Sequence, residues 1–87
     1  MNLKSAREEI EKIDYQIISL IKKRQECALL IHDAKKEENV PVRDETQREN
    51  VINRAVEKAE EEGINKDMTR EIFEILIEMN ESAQKKY

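Results

Sequence analysis

Eighty-seven residues with one Gly, one Pro, no Trp and 41% charged side chains suit one small all-helical domain over residues 1–87, and chains of this size often complete their core by oligomerising. The net charge of −4, with acids and bases interspersed, argues against a nucleic-acid or membrane-surface binder, which would show a basic face. No apolar run is long enough to span a bilayer and no signal-peptide core follows Met1, so a cytoplasmic address is expected.

The first helix is expected from about Lys4 to about Glu38, ended by Asn39 and by Pro41, which disfavours helix in the residue before it. Its apolar seam reads Leu3, Ala6, Ile10, Ile13, Ile17, Leu20, then Cys27, Ile31 and Ala34, at alternating steps of three and four. At about 1.5 Å per residue the rod is roughly 50 Å long, whereas a compact chain of this size is about 25 to 30 Å across. The rod therefore overhangs, and a partner has to cover its stripe.

Arg24 interrupts that seam. A guanidinium on a buried stripe stays charged and has to be paired, either with an acidic side chain or with an anionic ligand. The positions three and four residues away hold Leu20, Ile21, Cys27 and Ala28, so no acid on the same helix can serve. Lys35 stands three turns further on, within about 20° of the same face and about 16 Å along the axis. It is either a solvated residue at the helix end or the second cation of a site for a small anion with two acidic groups. Cys27, the sole cysteine, permits no intrachain disulfide or multi-cysteine metal site and is expected as a small core residue. His32, just off the seam and without a second His, is expected to be solvated rather than a metal ligand.

The second helix is expected to begin near Asp44, with Gln47 completing a capping box. Its apolar face is Val51, Ile52, Ala55, Val56 and Ala59, and Gly63 is a natural left-handed stop. Arg48 and Glu49 lie in its first turn, where a charged pair is usually a solvated terminus. Asn65 or Asp67 caps the third helix, whose stripe reads Phe73, Leu76, Ile77, Asn80, Ala83, Gln84, Tyr87. The amides Asn80 and Gln84 interrupt it one turn apart, either to satisfy a backbone group or to supply neutral donors opposite the cations of the first helix. No internal repeat, low-complexity stretch or interdomain linker is visible.

These residues resemble, along nearly the whole chain, the all-helical AroQ class of chorismate mutases. The matching stretches are Arg7-Glu8-Glu9-Ile10 with Ile13-Asp14, then Arg24 and Ala34-Lys35, then Pro41-Val42-Arg43-Asp44 with Arg48-Glu49, and Phe73-Glu74-Ile75-Leu76-Ile77-Glu78 with Asn80 and Gln84. Asp44 and Arg48 stand four apart where the family usually has three, which adds a residue to the turn entering the second helix.

The resemblance implies an intertwined helical homodimer that rearranges chorismate to prephenate, in phenylalanine and tyrosine biosynthesis, without cofactor or metal. It assigns the substrate carboxylates mainly to Arg7 and Arg24, the ether oxygen to Lys35 and Gln84, and the ring hydroxyl to Glu49. Asn80 and Arg48 support the carboxylate end, Asp44 joins the substrate contacts, and Ile31, Ile52 and Ile77 form apolar walls. Arg7 lies about 25 Å from Arg24 along a straight helix, so both can hold one small molecule only if Arg7 comes from a second chain. Two competing readings are an isochorismate-pyruvate lyase on the same fold, disfavoured by Glu49, and a non-catalytic helical dimerisation module in which Arg24 meets an acidic side chain of its partner. With no extra domain for an effector, feedback control within the chain is not expected.

Overall fold

The computed structural model describes residues 2–39, 41 and 45–84. They form three helices, α1 (Leu3–Glu37), α2 (Glu45–Glu61) and α3 (Lys66–Gln84). Asn2 starts α1, its Oδ1 accepting from the Ser5 amide at 2.8 Å, and so satisfies one of the first-turn donors. At the other end the Glu38 amide donates to the Ala34 carbonyl, while Asn39 turns the chain with φ 57°, a left-handed geometry that Asn tolerates better than most residues. Lys35 and Lys36 occupy the last turn, where positive charge suits the helix dipole.

Gly63 stops α2 with φ 69°, and the Ile64 amide reaches back to the Ala59 carbonyl at 2.8 Å, the closing bond of a Schellman turn. Asn65 then caps α3: its Oδ1 accepts from the Met68 amide at 2.9 Å and its carbonyl from the Thr69 hydroxyl at 2.8 Å. Of the two expected caps, Asn65 is therefore the one used. The expected cap Asp44 and the stripe residue Tyr87 lie outside the described residues.

Among the described residues α3 packs against both other helices, whereas the backbones of α1 and α2 do not approach one another. The expected faces form this core: Ile52, Ala55 and Ala59 of α2 are buried, and Phe73, Leu76, Ile77, Ala83 and Gln84 of α3 are half-buried around buried Asn80. On α1 the face in use is Ile21, Gln25, Ala28, His32 and Lys35, all half-buried or buried. Each of these residues follows a seam position by one, about 100° round the helix.

Two sequence expectations are corrected by that second stripe. His32 is not solvated but buried at 8% exposure, with its Nδ1 lacking a hydrogen-bond partner. Cys27 is not in a core but exposed, because on the seam it belongs to only Ala6 and Arg24 are covered among the described residues. From Leu3 to Leu20 every residue except Ala6 is exposed, so half of α1 projects beyond the rest. The chain measures 55 × 26 × 15 Å with a radius of gyration of 16.0 Å, against about 12 Å for a compact chain of this length. An unpredicted apolar row on α3, Met68, Ile72, Ile75 and Met79, is exposed. No helix among the described residues is long and apolar enough to cross a membrane.

Candidate active site

The middle of α1 meets the later turns of α3 through Arg24 and Asn80, and the first turn of α2 meets the last turn of α3 through Arg48 and Glu81. Arg24 is half-buried, and its Nη1 donates to Asn80 Oδ1 from across the helix interface. Asn80 is 6% exposed, so the amide oxygen has lost water and regains a charged donor in exchange. Burial lowers the Arg24 pKa, and the positive charge of Arg54 on α2 lowers it further. An arginine so perturbed is still protonated at any ordinary pH.

Among the described residues no carboxylate pairs with Arg24. Its neighbours are an amide oxygen, which orients the guanidinium without neutralising it, and a second cation, which repels it. Of the two partners the sequence leaves open, an acid or an anion, the described residues of the single chain supply no acid.

Arg48, in the first turn of α2, faces Glu81 in the last turn of α3 at 3.7 Å. Glu49 beside it is exposed. Gln84, one turn past Asn80, is half-buried, as is Lys35 near the end of α1. Of the expected apolar walls, Ile52 is buried and Ile77 half-buried, whereas Ile31 is 57% exposed. Asp44 lies outside the described residues. Arg7 is exposed on the projecting half of α1, and because α1 is one unbroken helix, about 25 Å of axis separates it from Arg24.

Arg54 and Glu81 were not visible as site residues from sequence. Neither interrupts an apolar stripe, which is the signal that exposed Arg24, Asn80 and Gln84; each becomes relevant only through a residue on another helix. An open groove of about 580 Å³ between α1 and α3, lined by Gln25, Leu29, Ile75, Glu78, Met79, Ser82 and Ala83, contains none of the predicted site residues.

The order and spacing of these residues match a family model, chorismate mutase type II, over residues 6–85. The chain belongs to that family. It is 29% identical over 85 residues to a chorismate mutase from Methanocaldococcus jannaschii, an alignment covering 98% of this chain and 86% of that protein. A bifunctional chorismate mutase/prephenate dehydratase from Buchnera aphidicola matches at the same identity, with 22% of its own length covered. A conserved hypothetical protein from Pyrococcus furiosus superposes with a TM-score of 0.70 at 43% identity, over 94% of this chain and 93% of that one. The chorismate mutase type II model thus spans all three helices, from the projecting half of α1 to the amide-bearing end of α3.

Proposed function

We propose that this chain is a chorismate mutase, an isomerase converting chorismate to prephenate in phenylalanine and tyrosine biosynthesis, and that it works in the cytoplasm as a homodimer of single-domain chains. The observation that carries the reading, beside family membership, is Arg24: a half-buried guanidinium oriented by Asn80 and left without a carboxylate among the described residues. Such a charge is costly until an anion reaches it, and the substrate is a small molecule with two carboxylates.

In the reaction a C–O bond breaks as a C–C bond forms, with no proton transfer and no covalent intermediate. Catalysis therefore consists of holding the compact conformer and stabilising the negative charge that develops on the ether oxygen. Arg24 and Arg7 of a second copy hold the two carboxylates, with Arg48 and Asn80 supporting that end. The Lys35 ammonium and the Gln84 amide donate to the ether oxygen. Glu49 accepts from the ring hydroxyl, Asp44 lies at the entrance of α2, and Ile31, Ile52 and Ile77 wall the ring. The exposed seam of α1 supports the dimer, since two first helices crossing antiparallel near Ile18 bring Arg7 of each between Arg24 and Lys35 of the other.

The test follows consumption of chorismate and of isochorismate with identification of the product. Prephenate from chorismate is the expected result. Pyruvate and salicylate from isochorismate would reassign the site to lyase chemistry, and turnover of neither would leave a non-catalytic dimerisation module.

A further inference from the structure

The ion pair between Arg48 Nη1 and Glu81 Oε1, at 3.7 Å, ties the first turn of α2 to the last turn of α3. The pairs Lys12–Glu9, Lys58–Glu61 and Lys58–Glu62 join residues one turn apart on exposed helix surface. Arg48–Glu81 is different in both respects: it crosses between helices, and its side chains are 25% and 39% exposed. Water screens it less, so the attraction is correspondingly stronger.

Glu81 also sits against the preference of its own helix. Negative charge in the last turn of a helix opposes the macrodipole, and α3 carries no basic residue there to offset it. Among the described residues, what compensates Glu81 is Arg48. The contact runs from one guanidinium nitrogen to one carboxylate oxygen and is longer than a hydrogen bond. Most of the five N–H donors of Arg48 therefore stay available to a second anion. Asn80 precedes Glu81 directly and Gln84 follows it by three residues, which puts the carboxylate on the stretch of α3 that carries the amide donors.

We propose that Glu81 is a positioning residue: it holds the Arg48 guanidinium at the mouth of the site, aimed so that the donors it leaves free meet a carboxylate of the substrate. The role rests on the reading of Arg48 as a carboxylate-supporting residue. Glu81 itself does not touch substrate, and its bare charge near a dianion would repel it; the pair works because Arg48 neutralises Glu81 while keeping donors to spare.

The experiment is a double-mutant cycle on chorismate turnover with Glu81→Gln, Arg48→Ala and the double variant, with helicity of each checked by circular dichroism. Glu81→Gln removes the charge, preserves shape and relieves the dipole conflict, so α3 stays folded. Its expected effect is a rise in KM of about two- to fivefold, the range an ion pair of this exposure commands, with kcat within about twofold of the parent. Glu81→Asp, which keeps the charge, recovers part of the loss. In the Arg48→Ala background, where Glu81 is left bare, Glu81→Gln raises KM no further and instead lowers it by relieving repulsion of the substrate. A parental KM in Glu81→Gln, or a lower one, overturns the proposal, as does an undiminished rise in the Arg48→Ala background. If Arg48→Ala itself turns over chorismate with the parental KM, the assignment of Arg48 is what has failed and the role of Glu81 falls with it. A parent without chorismate turnover overturns the activity before either.

Discussion

Gln84 is a neutral amide, half-buried one turn beyond Asn80, and its value at an ether oxygen is that it donates at any ordinary pH. An ionised carboxylate there could only accept, and would repel the charge that develops in the transition state. Gln84→Glu is therefore expected to work only in its protonated form. Its kcat/KM should rise as pH falls toward the carboxyl range near about 4, while the parent stays comparatively flat. The measurement is kcat/KM against pH for both proteins with folding checked at each point; equal activity at neutral pH removes Gln84 from the mechanism. Arg24, by contrast, is charged throughout that range, so the parent profile takes no inflection from it.

At the scale of elements, helix limits were legible because local chemistry sets them. Gly63 turns left-handed, Asn65 accepts the Met68 amide on its side-chain oxygen, and Asn39 ends the long helix. The stripe of α2 and the amide-interrupted stripe of α3 were legible for the same reason, since a period of 3.6 names a face without reference to any neighbour. What periodicity does not say is which of two adjacent faces a helix turns toward its own chain. On α1 the more continuous seam stays largely open, Arg24 reaching Asn80 from it, and the weaker row one residue along, with Gln25, His32 and Lys35 on it, is the one covered. That choice buries His32 and exposes Cys27, and the pairing of Arg48 with Glu81 was hidden likewise, because it joins helices far apart in sequence. The burial of His32 has a measurable cost: a ring nitrogen has left water and found no partner. His32→Leu keeps similar bulk without that nitrogen and is expected to stabilise the protein by about 1 kcal/mol, read as a higher denaturant midpoint at unchanged m-value. A destabilised His32→Leu protein would mean that the imidazole packs better than its lost hydrogen bond suggests.

The shape of the whole molecule bears on how a site is divided between chains. α1 is continuous and its first half is exposed apart from Ala6, so Arg7 and Lys35 of one chain serve different sites if two copies cross. Arg7→Ala and Lys35→Ala homodimers are each expected to be nearly inactive, yet unfolding and refolding the two together restores activity. Every hybrid dimer has one site carrying both defects and one carrying neither, so random reassortment yields about a quarter of normal sites. Failure to recover, with hybrids demonstrated by mass, would place Arg7 and Lys35 in the same chain's site.

The projecting half of α1 also bears on the tempo at which this protein comes into being. Ile10, Ile13, Ile17 and Leu20 are all exposed on a lone chain, on a helix that runs unbroken from Leu3 to Glu37. On the dimer proposed here, the last step of folding is an encounter between molecules, with a rate that scales as the square of chain concentration. Stopped-flow refolding should show a phase that accelerates on raising protein concentration, and a rate independent of concentration would refute it. Inside a cell the same kinetics make the yield of working enzyme steeper than linear in the rate of synthesis, because a newly made chain at low abundance waits with its apolar seam open to proteases and chaperones.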